Sequence, residues 1–181
     1  MSSAQITTDQ DSIVTEIEVA APPERVFTAL TDPKQLMRWW RGEDTCKAKL
    51  WEMDSRVGGR WRFETADPTG KIIVNGISDF KANGEILEYA PPRVLAYTWI
   101  ANWHNQPGRT TLVRWELEPR SVHGLQHNGP QKMGTGTVVR IRHEGFAGAP
   151  EAAHNHAQGW TLVLGWMQAF VEKGETVDTR K

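Results

Sequence analysis

Residues 150–173, PEAAHNHAQGWTLVLGWMQAFVEK, decide the fold. Stepping about 100° per residue around a helix axis puts Ala153, Trp160, Val163, Leu164, Met167, Phe170 and Val171 on one wide apolar stripe. Pro150 suits a first helical position, where its missing N–H is no loss. A helix of this length with one apolar face has to lie across another apolar surface. His156 falls about 40° from Trp160, inside the stripe, whereas His154 points to the opposite side. Two residues apart on a helix, these histidines cannot share an ion, and neither a metal nor any other cofactor is expected.

The preceding residues read as the surface that receives this helix. Ile13, Thr15, Ile17 and Val19 alternate with Glu16 and Glu18, the period of a half-buried strand. Ala21-Pro22-Pro23-Glu24 then opens a helix carrying Val26, Phe27 and Leu30, and Thr31-Asp32-Pro33 ends it and begins a second with Leu36, Met37, Trp39 and Trp40. From Lys47 to Glu144 the pattern is a run of antiparallel strands. Trp61 and Phe63 share a face, as do Leu95, Tyr97 and Trp99, then Val113, Trp115 and Leu117, then Val139, Ile141 and His143. Asp67-Pro68-Thr69-Gly70 reads as a hairpin turn before a strand over Ile72 to Phe80, followed by a strand over Glu85 to Tyr89. Pro119 to Gly134 reads as a long polar loop, functional or merely tolerated. The expectation is an α+β fold in which a twisted antiparallel sheet wraps a long C-terminal helix, with two short helices after the first strand. One domain spans residues 13–173, between flexible ends at 1–12 and 174–181.

Composition narrows the partners. The 181 residues carry 21 Lys and Arg against 22 Asp and Glu, a net charge of −1, so neither nucleic acid nor an anionic membrane is held by bulk electrostatics. No apolar run approaches the roughly 20 residues of a membrane span, and the polar stretch Met1 to Ser12 has no signal pattern, which makes the cytoplasm the expected location. The lone Cys46 fits a reducing compartment. Nine tryptophans, each offering roughly 150–250 Å² of buriable surface, offset a thin supply of aliphatic residues.

Whether the space between sheet and helix is filled or open to a ligand is the functional question. Its candidate walls are Trp61, Phe63, Trp99, Trp115, Trp160, Val163 and Met167, with Trp39 and Trp40 near a mouth. Three polar residues are placed to join them: His156 in the helical stripe, His143 beside Val139 and Ile141, and Asp79 on the face of Ile77. Each either bonds to protein or meets a ligand. No nucleophile motif, P-loop or dinucleotide fingerprint is present. Trp51 and Trp103 have no assigned place. Leu162 and Trp166 fall on the back of the last helix and would suit a homodimer surface.

Taken in order, these residues resemble the START-like, helix-grip superfamily SRPBCC, in the branch named for the activator of heat-shock-protein-90 ATPase homologue. The matching stretches are Ile17-Glu18-Val19 into Ala21-Pro22-Pro23-Glu24-Arg25-Val26-Phe27, Arg38-Trp39-Trp40, Gly58-Gly59-Arg60-Trp61-Arg62-Phe63, and Pro91-Pro92-Arg93-Val94-Leu95-Ala96-Tyr97-Thr98-Trp99. His143-Glu144-Gly145-Phe146 and His156-Ala157-Gln158-Gly159-Trp160 complete the set. The resemblance implies a curved sheet gripping the helix around a cavity that in many relatives holds an apolar or amphipathic small molecule. The superfamily includes lipid carriers, polyketide cyclases, hormone receptors and co-chaperone domains, and a fold does not choose among them. Three functions follow as alternatives: a protein binding an apolar or aromatic small molecule, a cyclase or hydrolase using His156, His143 and Asp79 as acid–base groups, or a protein-interaction module.

Overall fold

A computed structural model describes residues 3–40, 47–66, 73–104, 106–123 and 133–176. The alternating stretch around Ile13 becomes the strand β2 (Ser12–Val19), with Ile13 and Val19 buried and Glu16 and Glu18 exposed. A two-residue strand β1 (Gln5–Ile6), in the stretch expected to be flexible, pairs with its outer edge. After β2 come the helices α1 (Pro23–Thr31) and α2 (Pro33–Trp39). Asp32 makes the corner between them, its N–H bonding to Thr28 O at 3.0 Å while its carboxylate caps α2 by accepting from the Lys34 N–H at 2.9 Å.

The strands β3 (Lys47–Met53), β4 (Arg60–Ala66), β5 (Lys81–Ala90), β6 (Val94–Ala101), β7 (Thr110–His123) and β8 (Met133–Glu144) complete one antiparallel sheet in the order β1-β2-β8-β7-β6-β5-β4-β3. Register shifts at Ala48/Leu50 and Ile86/Glu88 break the ladder, and such bulges bend a sheet. The helix α3 (Pro150–Lys173) lies in the curve. It buries Ala152, Ala153, His156, Ala157, Trp160, Val163, Leu164, Met167 and Phe170, the stripe read from the sequence. Gly174, at φ 71°, ends it in the left-handed conformation and bonds back to Phe170 O at 2.9 Å. The guanidinium groups of Arg25 and Arg38 lie 4.9 and 5.5 Å from the Phe170 ring centre, which ties α1 and α2 to α3.

The outer face of the sheet carries cross-strand ion pairs, among them Glu16 with Arg140 at 3.0 Å, Glu116 with Arg140 at 3.8 Å, and Glu18 with Arg120. These pairs are solvent-exposed and each contributes at most about 1 kcal/mol. Their meaning is orientation: the charged face is wet, and the aromatic face looks toward α3.

Two expectations are corrected. Residues 73–80 are not a strand. Val74 bridges Ile77 across Asn75 and Gly76, at φ 50° and 77°, and consecutive positive φ values are the mark of a type I′ turn. Pairing with β4 begins only at Lys81, opposite Glu64. The two ends of the polar stretch from Pro119 are sheet rather than loop, since β7 and β8 stay paired from Pro119↔Thr137 to His123↔Met133. Cys46, the Asp67–Gly70 turn and the tip of the 119–134 stretch lie outside the described residues. Among the described residues no helix is long and apolar enough to cross a membrane.

Candidate functional site

The inward strand positions bring their aromatic rings together beneath α3. Trp61 stands opposite Gly84, and Trp51 stands opposite Phe63. A Cβ on Gly84 would lie 1.8 Å from Thr98 O and 2.7 Å from the Trp61 Nε1, so only glycine lets the indole lie down there. Ring centres are 5.0 Å apart for Trp61 and Trp99, 4.9 Å for Trp61 and Tyr97, 5.1 Å for Trp51 and Phe63, and 5.0 Å for Trp40 and Trp51. Trp160 closes the cluster from the helix, 5.7 Å from Trp99 and 5.6 Å from Trp115. These are the separations of rings in contact.

Most of the polar handles in this interior are bonded. Trp39 Nε1 donates to Ala29 O at 2.9 Å, Trp61 Nε1 to Thr98 O at 3.1 Å, and Trp115 Nε1 to the Tyr97 hydroxyl at 2.8 Å. Burial raises the Tyr97 pKa far above the ordinary phenol value, with the Trp115 bond opposing, so the hydroxyl stays protonated. Trp51 Nε1, Trp99 Nε1, His104 Nδ1 and Arg109 Nε are buried without a hydrogen-bond partner among the described residues.

Beside the rings lies a group of three imidazoles. The centres of His143 and His156 are 5.1 Å apart, and those of His104 and His156 are 4.9 Å apart. Hydrogen bonding assigns their protons. The Trp160 indole can only donate, and does so to His143 Nδ1 at 2.9 Å, which leaves the His143 proton on Nε2 facing Thr111 Oγ1 at 2.7 Å. Thr111 passes its own hydrogen to Trp99 O at 3.1 Å. His156 Nδ1 faces the Ala152 carbonyl at 2.9 Å and must carry the proton there. Its Nε2 therefore accepts from His104 Nε2 at 3.2 Å, and His104 Nδ1 keeps a lone pair. Burial is the main cause that holds all three neutral. It pushes His156 down to about 3, puts His143 well below the ordinary imidazole range, and lowers His104.

The motif stretches read from the sequence now converge on this interior, and the family model for activator of Hsp90 ATPase homolog 1-like protein matches residues 20–126. The chain belongs to that family. The helix-grip architecture is accordingly the one observed, and solved structures repeat it. Protein CV1439 from Chromobacterium violaceum is 25% identical, with a TM-score of 0.65 over 90% of this chain and 98% of that one. CalU16 from Micromonospora echinospora is 20% identical, with a TM-score of 0.56 over 96% and 85%. DynU16, described as a protein in the dynemicin biosynthetic locus, is 17% identical, with a TM-score of 0.60 over 92% of this chain and 49% of that one. At 20% and 17% identity the likeness is one of fold. No curated protein matches the chain.

Within the family fold, Trp39, Trp40, Trp61, Phe63, Trp99, Trp115, His143, His156, Trp160, Val163 and Met167 are all buried. Trp39 and Trp40 belong to the interior rather than to an open mouth, at 0% and 3% exposure. Asp79 is not part of the group. It is exposed, because the strand alternation that would have turned it inward is replaced by the Asn75-Gly76 turn. Trp166 is half-buried and packs on the core rather than standing free on the back of α3, where Leu162 is 51% exposed. Reading the sequence missed His104, Trp103, Trp51 and Arg109. Trp51 was accessible to period-2 reasoning, being paired with Phe63 and sharing a face with Met53. Trp103 and His104 follow the end of β6, where no periodicity applies, and they are fixed by long-range bonds such as Asn75 Nδ2 to Trp103 O at 2.8 Å.

Proposed function

We propose that the protein binds an apolar or aromatic small molecule between the sheet and α3. The observation that carries this reading is the buried aromatic cluster, in which Trp40, Trp51, Phe63, Trp99 and Trp160 present ring faces and edges to one another along the inner wall of the grip. A core built only for stability is well served by aliphatic side chains with defined rotamers. A wall of indoles offers a flat ligand the same offset and edge-to-face contacts that the rings make among themselves. Binding then exchanges ring–ring contacts for ring–ligand contacts as the cluster parts to admit the ligand. DynU16, which shares the fold, is described as a protein in the dynemicin biosynthetic locus.

Equilibrium dialysis with fluorene, a flat arene without polar atoms, tests the reading. Saturable binding of one fluorene per chain, accompanied by a change in tryptophan emission and a higher unfolding temperature, is the expected result. Absence of saturable binding up to the solubility limit of fluorene, together with an unchanged unfolding temperature, would overturn it.

A further inference from the structure

The hydrogen bonds that the interior leaves unmade specify the ligand more narrowly. Among the described residues, four buried side-chain atoms lack a partner: Trp51 Nε1, Trp99 Nε1, Arg109 Nε and His104 Nδ1. Three are N–H donors and one is an acceptor, an excess of donors. A buried donor left unsatisfied keeps its whole desolvation penalty. The two indoles are the informative pair, because an indole nitrogen can only donate and has no tautomer that would reverse its role. Trp51 and Trp99 are 5% and 3% exposed, and their rings sit on Phe63 with centres 5.1 and 5.6 Å from it. Other indoles in the same interior found oxygen or nitrogen acceptors, Trp61 on Thr98 O and Trp160 on His143 Nδ1, so the local chemistry satisfies N–H groups where acceptors exist. Neighbouring π faces are weaker acceptors than a carbonyl oxygen.

We propose that the ligand is a flat aromatic carbonyl compound, a ketone or quinone, whose oxygen accepts from the unpartnered indole N–H of Trp99 or Trp51 while its ring packs against the cluster. This rests on the small-molecule reading above and adds the polar atom that the ligand must carry. Plain arenes bind by stacking alone. Aromatic carbonyl compounds bind by stacking and by a hydrogen bond to a donor that no described residue engages.

The test compares 9-fluorenone with fluorene, which share ring size and planarity and differ by the carbonyl. Dissociation constants are measured by equilibrium dialysis for the wild type, Trp99→Phe and Trp51→Phe. The ratio of the two constants in each protein cancels what is common to ring packing, and comparison between proteins cancels the different cost of removing each compound from water. The expected result is a fluorenone preference reduced by about fivefold in at least one of the two variants. A ratio equal in all three proteins would overturn the proposal while leaving fluorene binding, and with it the broader reading, intact. Loss of binding by both compounds in the wild type would overturn the broader reading instead. If a phenylalanine variant fails to fold, the wild type alone decides through its indole N–H proton resonances: fluorenone moves those of Trp99 or Trp51 downfield and fluorene does not, and equal movement with both compounds would refute the carbonyl contact.

Discussion

Lowering the pH from 6.5 to 5 is expected to remove about 1.7 kcal/mol of stability through the buried imidazole of His156, with His143 acting in the same direction. In the unfolded chain both titrate near 6.5. In the folded protein burial holds His156 at about 3 and His143 well below its ordinary value. Over this window the unfolded chain takes up protons that the native state refuses, so stability rises with pH. The contribution is fully present above about pH 6.5 and is lost as pH falls toward the folded value. At about 1.4 kcal/mol per pH unit for full uptake, and with the unfolded imidazole half protonated at the upper end, His156 loses about 1.7 kcal/mol across the window. His143 adds a loss of the same sign, so the two together draw on a substantial part of the 5–15 kcal/mol typical of a folded domain. Two carboxylates with lowered values act mainly below this window. Arg62 and Arg114 hold Glu52 and Glu88 below the ordinary value of 4.5, so those groups give up their contribution only at lower pH. Urea unfolding at half-unit steps, for the wild type and for His156→Gln, measures the effect. The variant should lose about 1.7 kcal/mol less than the wild type over the window. Parallel losses in the two proteins, or a flat wild-type curve, would refute the assignment of a neutral buried imidazole to position 156.

Two further changes test the packing that builds the site. Gly84→Ala would drive a methyl group into Thr98 O and the Trp61 indole, and should cost about 3 kcal/mol in urea unfolding; a neutral effect would mean that the close approach of β5, β6 and Trp61 is not as described. Trp160→Phe keeps a ring against Trp99 but removes the donor to His143 Nδ1, and should cost about 1–3 kcal/mol by the same assay, with no loss refuting the bond.

The sequence exposed those parts of the fold that obey a period. The stripe of α3, the Trp61/Phe63, Leu95/Tyr97/Trp99 and Val113/Trp115/Leu117 alternations, and the Pro-initiated helices were all legible, because burial of one face repeats every 3.6 or 2 residues. The same logic placed His143 and His156 inside. It failed at residues 73–80, where alternation suggested a strand although Asn75-Gly76 is a turn signal, and Asp79 was drawn into the site by that error. His104 was invisible for a different reason. It stands in a connection, and what brings it to His156 is the curvature of the sheet across fifty residues of chain, which no local pattern encodes. The unpartnered donors were likewise beyond reach of the sequence, since a missing hydrogen bond is a property of assembled geometry.

The central claim, that a small aromatic molecule enters the grip between sheet and helix, is tested most directly by the indole N–H resonances of ¹⁵N-labelled protein during titration with 9-fluorenone. The account predicts saturable shifts of Trp51 or Trp99, whose N–H groups have no partner among the described residues, larger than those of Trp39, Trp61, Trp115 and Trp160, whose N–H groups are already bonded within the protein. Indole resonances that stay in place up to the solubility limit of the ketone would contradict it.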